Sequence, residues 1–361
     1  MLLDEFNYPL SAELIAQRPL AERDASRMMV VDRANAGFED RLFRELPQIL
    51  KPGDLLVFNN TRVFPARLLG RRRGVTAQTI GKNNPAAREY LSAEIEVLLT
   101  RQESEDTWQA LVRPGRKVRT GEMIEFGDGR LEGEVLGRGL YGIRRIRLSA
   151  RAGTLEDAID RLGHTPLPPY IRRADEPADR AAYQTVYAKV RGAVAAPTAG
   201  FHFTVRVLEE LRARGVETSE ITLHVGLGTF QPVRAERVED HKMESERFEI
   251  SDLAASAVNR ALDEGRRVIA VGTTSVRALE HVAREHGGRI VPGRGETRLF
   301  IYPGFEFKVT RALLTNFHLP RSTLLLLVCA FGGRELTLRA YRHATLERYR
   351  FYSYGDCMLL L

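Results

Sequence analysis

The chain has two cysteines, one tryptophan and no long apolar run, and each shortage removes a class of protein. Cys329 and Cys357 are too few for a disulfide framework and show no zinc-ligand spacing, which fits a reducing compartment. The longest apolar run, "LLLLVCAF" from Leu324, is far too short to span a bilayer, and the opening "MLLDEFNYPL" has acids where a secretory leader has bases. A soluble, cytoplasmic protein without a membrane contact is expected. The histidines include no i, i+4 pair around a glutamate and join no cysteine cluster, so no metal is expected. Internal repeats and low-complexity tracts are lacking as well.

What is present is charge and apolar bulk. At 361 residues and 43% hydrophobic content the chain can bury a large core, either as two domains or as one elaborated domain. Its 54 Lys and Arg against 47 Asp and Glu give a net charge of +7, which suits a polyanion or an acidic small substrate.

The texture changes along the chain. After the Pro52-Gly53 turn, Leu55 to Phe58 read as a buried strand. Arg71 to Arg88 is basic and without period, an exposed loop. From Ala93 to Leu148 short runs such as "EIEVLL", "WQALV" and "GIRRIRL" alternate with turns, the pattern of a small antiparallel barrel or sandwich. Beyond Arg151 helix and strand alternate, with Thr154 placed to cap "LEDAIDRLG". The expected fold is an α/β catalytic domain, residues 1–58 and 151–361, with an antiparallel β-barrel domain, residues 59–150, inserted into it.

Several constellations can carry chemistry. "AVAAPTAGFHFT", Ala193 to Thr204, mixes turn residues with Thr198, Phe201, His202 and Phe203, as the wall of a small-molecule pocket does; aromatics tucked under a sheet read the same way. "VIAVGTTSVRALE" sets Thr273, Thr274 and Ser275 where an apolar strand becomes a helix beginning near Val276, which is either an anion site or ordinary capping. His202, His224 and His318 stand in mixed contexts, each open to a role as general base or as a structural hydrogen bonder. Arg62, Arg67, Arg71, Arg72, Arg113 and Arg116 gather at both ends of the barrel-like stretch, where they can grip phosphates or simply keep the module soluble.

The strings "GDLLVFNNTRVFPARL", "GHTPLPPYIRR", "GAVAAPTAGFHFT", "TLHVGLGTFQPV", "RVIAVGTTSVRALE", "GETRLFIYPGFEF" and "LLTNFHLPRSTLLLLV" occur in the order found in the S-adenosylmethionine:tRNA ribosyltransferase-isomerases. The chain resembles that family over essentially its whole length. The resemblance implies transfer and isomerisation of the ribosyl part of S-adenosylmethionine, as co-substrate, onto 7-aminomethyl-7-deazaguanine at the tRNA wobble position. Epoxyqueuosine-tRNA, adenine and methionine are the products, in queuosine biosynthesis. It also implies a base at the 5′ carbon next to the sulfonium, drawn from His202, His224 and His318. Asp24 or Glu296 would then act on adenine or face the sulfonium, and Thr273 to Ser275 would hold the methionine carboxylate. The sequence departs from the family's usual pattern at Asn60, Phe201 and Arg298. A monomer acting on tRNA is expected. Two other readings are a tRNA-binding protein without catalysis, which would release no adenine, and a phosphoribosyl-handling enzyme, which would need a divalent metal.

Overall fold

The computed structural model describes residues 1–74, 93–139, 142–226, 233 and 235–361; residues 75–88 of the basic stretch lie outside them. A nine-stranded mixed sheet and a closed six-stranded barrel organise the chain. The sheet takes β1 (Arg27–Asp32), β2 (Gly37–Leu42) and β3 (Leu55–Asn59) from the N-terminal part, while β4 (Thr61–Val63) leads out of it. The barrel is β5 (Arg67–Arg72), β6 (Glu94–Gln102), β7 (Thr107–Arg113), β8 (Met123–Phe126), β9 (Leu131–Arg138) and β10 (Ile143–Ala150). The chain then returns through β11 (Val190–Ala193), which pairs with β4, to β12 (Glu217–Leu223) and β13 (Glu246–Ile250) of the sheet. Its last strands are β14 (Val268–Val271), β15 (Gly293–Thr297), β16 (Ala312–Asn316) and β17 (Cys357–Leu360).

Binary pattern explains both units. Along β5 and β10 inward and outward residues alternate, and Leu68, Ile95, Val97, Trp108, Ile124, Phe126, Ile146 and Leu148 fill the barrel. Gly70 is required there, because a Cβ would stand 2.5 Å from the Glu125 carbonyl oxygen. The middle of the sheet is different: β12, β3, β14 and β16 run parallel, and β3, β14 and β16 are buried from end to end, which is why "LLVFN", "VIAV" and "ALLTN" are continuous runs. "LLLLVCAF" folds into the Thr323–Gly332 helix, buried along nearly all its length and capped by Ser322, whose hydroxyl accepts from the Leu325 amide. Among the described residues no helix is long and apolar enough to cross a membrane. Cys329 and Cys357 are free thiols in this core, both pushed up by burial, Cys329 to about 12.

Strand order positions the site. From β3 the chain steps to β12 on one side and then to β14 on the other, so the crossovers part above the carboxyl ends of β3 and β14. Such a switch point opens a crevice at the ends of parallel strands. The helix after β14 spans Thr273–Glu285, beginning three residues earlier than the sequence pattern suggests. Its start follows Gly272, whose φ of 88° suits glycine. Thr273, Thr274 and Ser275 are therefore all in the first turn.

Candidate active site

A cleft enclosing roughly 470 Å³, part of it open to solvent, lies over this switch point. Thr315 and Asn316 of β16, the Gly272–Thr274 turn and the Ala196–Ala199 segment form its floor, with His318, Tyr170 and Tyr352 in its walls. Pro197 leads into a tight 3₁₀ turn, Thr198–His202, and Gly200 lets that turn settle on Tyr187; a Cβ there would lie 1.9 Å from the tyrosine oxygen. Tyr352 holds a φ of 74°, which non-glycine residues seldom adopt, while its amide bonds to the Phe317 carbonyl and its carbonyl meets the Asn316 amide.

Of the residues singled out from sequence, the cleft brings together Thr198, Thr273, Thr274 and His318. His318 shares a 2.8 Å hydrogen bond between Nε2 and the Thr315 hydroxyl, and burial pushes its pKa down to about 3, so the ring is neutral. Its backbone is fixed as well: the amide donates to the Tyr341 hydroxyl and the carbonyl accepts from Tyr8. Nδ1 has no protein partner among the described residues.

The other candidates sit elsewhere. His202 lies behind the lining, with Nδ1 at 2.7 Å from Ser26 Oγ and Nε2 at 3.3 Å from Asn316 Nδ2. Burial, then the charges of Arg23 and Arg350, push its pKa down to about 3. Phe203 packs in the core against Phe43 and Phe58, and Phe201 against Tyr183 and Tyr354, so neither ring walls the cleft. His224 rests over Gly192 and bonds the Thr61 hydroxyl at 2.8 Å; burial lowers its pKa to about 4. Ser275 is buried and donates to the Val271 carbonyl. Asp24 is a buried carboxylate tied to Arg206 at 2.5 Å, and exposed Glu296 pairs with Arg101 of the barrel at 2.8 Å. Asn60 holds Glu220 and Thr222.

The arginines divide likewise. Arg62, Arg71, Arg113 and Arg116 are exposed, and Arg67 spends a guanidinium nitrogen on the Leu167 carbonyl. Arg72 needs correction as a phosphate contact: it occupies an inward position of β5 and is only 5% exposed. After β7 the loop is held by buried Arg144, which donates to the Gly115 and Val118 carbonyls, and it presents Arg113, Arg116 and Arg119 outward. These three form no ion pair among the described residues.

Sequence reading missed Asn59 and Asn316, the last residues of β3 and β16. The signal was available, since an amide ending an otherwise apolar parallel strand lies where such sheets hold ligands. No group of three metal-ligating side chains occurs among the described residues.

A neutral histidine, threonine hydroxyls and a helix start surround a crevice at strand ends in an α/β fold with a barrel attached, a setting that suits a small polar ligand. The chain belongs to the queuosine biosynthesis protein family, whose sequence profile matches residues 3–360. It is 56% identical over 363 residues to the S-adenosylmethionine:tRNA ribosyltransferase-isomerase of Solibacter usitatus, with both chains fully covered. The protein of that name from Symbiobacterium thermophilum is 52% identical over 361 residues, again with full coverage of both. The crystal structure of S-adenosylmethionine tRNA ribosyltransferase from Thermotoga maritima is similar at a TM-score of 0.53 and 37% identity, across 99% of this chain and 100% of that one.

Proposed function

We propose that this chain transfers and isomerises the ribosyl group of S-adenosylmethionine onto the aminomethyl group of 7-aminomethyl-7-deazaguanine in tRNA, forming epoxyqueuosine-tRNA and releasing adenine and methionine. The observation that carries this reading is full-length likeness at about half identity to enzymes of that name. The cleft at the switch point agrees with it. The rival reading, a tRNA-binding protein without catalysis, has no support from relatives named as transferases.

The roles follow from position. His318, neutral and in the lining, is the base that takes a proton from the 5′ carbon beside the sulfonium. His202, with both ring nitrogens engaged behind the lining, is a positioning residue, and His224 lies outside the lining. The amides of the first turn at Thr273 and Thr274 suit the methionine carboxylate, the one anion S-adenosylmethionine carries. The Arg113–Arg119 loop and Arg62 and Arg71 face tRNA phosphates. Residues 1–58 and 151–361 act as the catalytic domain and residues 59–150 as the inserted tRNA-facing one, in a cytoplasmic monomer that uses no metal. Incubation with S-adenosylmethionine and precursor tRNA tests the whole: adenine appears only when both are present, and no adenine under any condition refutes it.

A further inference from the structure

We infer that the asparagines ending β3 and β16 give the cleft a fixed hydrogen-bond polarity, Thr198 accepting and Thr274 donating, which reads the ammonium and carboxylate of an α-amino acid. The inference rests on S-adenosylmethionine being the substrate and adds which protein atoms recognise its amino-acid end.

Backbone groups cannot exchange donor and acceptor roles, so they fix each amide. Asn59 Oδ1 accepts from the Leu223 amide at 3.0 Å and the Thr61 amide at 3.2 Å. Its nitrogen must be the other end, donating to the Leu223 carbonyl at 2.9 Å and to Thr274 Oγ1 at 3.2 Å. Thr274 Oγ1 thus accepts a hydrogen bond and keeps its own O–H. No protein acceptor meets that O–H among the described residues, which leaves it for a ligand acceptor.

Asn316 is turned the opposite way. Its nitrogen faces the Tyr352 carbonyl at 3.1 Å and the Asp356 carbonyl at 3.4 Å, so Oδ1 faces the Thr198 hydroxyl at 3.2 Å, which must donate to it. The two hydrogens of that nitrogen are shared among these carbonyls and His202 Nε2 at 3.3 Å; toward an amide nitrogen the ring can only accept, so the ring proton is on Nδ1, toward Ser26, and Ser26 in turn donates to the Arg23 carbonyl at 3.2 Å. Donors therefore run in one direction from Thr198 through Asn316, His202 and Ser26. With its proton committed inward, Thr198 offers the cleft only lone pairs.

An acceptor and a donor both lining one cleft match an ammonium and a carboxylate on one carbon. A phosphate, all acceptors at neutral pH, would meet Thr198 lone pair to lone pair. The assignment thus separates this cleft from a phosphoribosyl site.

The test uses the whole enzyme with precursor tRNA and two substrates, S-adenosylmethionine and its analogue in which hydrogen replaces the α-ammonium. Thr198→Val raises KM for S-adenosylmethionine about tenfold, with kcat within about threefold, and Thr198→Ser restores it. Wild type handles the analogue with a similarly raised KM, and Thr198→Val adds nothing further, because the two losses are one interaction. His202→Leu, which breaks the chain behind Thr198, raises KM in the same selective way, and His202→Gln, which keeps a donor and an acceptor, rescues it. A Thr198→Val penalty equal on both substrates, or none, overturns the inference while wild-type adenine release leaves the proposed function standing. Absence of adenine release by wild type overturns both.

Discussion

The barrel and the cleft are built on opposite principles. Barrel strands have two faces, and their outer charges pair across neighbouring strands and turns: Arg73 with Glu125 and Glu132, Arg145 with Glu103, Arg147 with Glu134. Such pairs are exposed and contribute little each. The parallel strands of the sheet have no outer face, and polar groups collect at their carboxyl ends, where Thr198, Asn316 and His202 bond to one another and Asn59 bonds to Thr274 and to backbone. A surface of the first kind tolerates change and can be rewired for binding. A buried network of the second kind fails as a unit when one member is lost.

Paired glycines give the widest separation. Gly200→Ala places a methyl 1.9 Å from the Tyr187 oxygen, and Tyr187 is buried, so the 3₁₀ turn must move. We expect a loss of about 3 kcal/mol or more and no measurable adenine release. Gly137→Ala in β9, where nothing lies within 4 Å, should stay within about 0.5 kcal/mol of wild type in chemical denaturation. Equal losses at the two positions would erase the distinction.

Histidines make the next contrast. His318→Ala should lower kcat for adenine release about a hundredfold or more if His318 is the base, with an unchanged melting temperature showing that the wall is intact. His202→Gln should stay within about threefold, since its amide can bond both Asn316 and Ser26. A reversed result would return the base assignment to His202.

Much of this was legible beforehand, for physical reasons that differ between the units. Alternation in "GIRRIRL" and continuous apolar runs such as "VIAV" report burial on one face or two, and so announce a barrel and a parallel sheet. Thr273 and Thr274 were legible because a helix start follows a strand. The pocket wall in "AVAAPTAGFHFT" was half legible: Thr198 lines the cleft, whereas Phe201 and Phe203 serve the core beneath it. Asn59 and Asn316 end apolar strand runs, which marks their place at the strand ends, but their partners Leu223 and Tyr352 come from other parts of the chain, so their bonds were not legible. Inward-facing Arg72 escaped because a run of three arginines hides the strand's period.

Charge pairing predicts a smaller effect on tRNA. Replacing Arg113, Arg116 and Arg119 together by Ala should shallow the slope of log Kd against log salt by about two to three, near one per lost phosphate contact. Arg145→Ala should leave the slope unchanged, because its guanidinium already meets Glu103 at 2.7 Å. If the triple variant keeps the wild-type slope, the loop after β7 is not part of the interface.

Between pH 7 and pH 5 acid should loosen the two units unequally, through histidine protons that only the α/β part can take up. Residues 59–150 contain no histidine, whereas burial holds His202, His318 and His224 neutral in the folded protein, with pKa values of about 3, about 3 and about 4. In the unfolded chain each returns to about 6.5, so between these values the unfolded state binds more protons and stability rises with pH. The contribution is complete above pH 6.5 and is lost as pH falls toward 3. From pH 6 to pH 5 each such histidine should remove about 1 kcal/mol, and His202→Gln should remove one histidine's share of that dependence while leaving the others. Hydrogen exchange at pH 5 locates the loss: amides of β14 and β16 should lose protection relative to pH 7, once intrinsic rates are allowed for, while those of β7 and β10 keep theirs. Barrel amides that open in step with the sheet, or an acid slope untouched by His202→Gln, would show that the cleft network is not what acid dismantles.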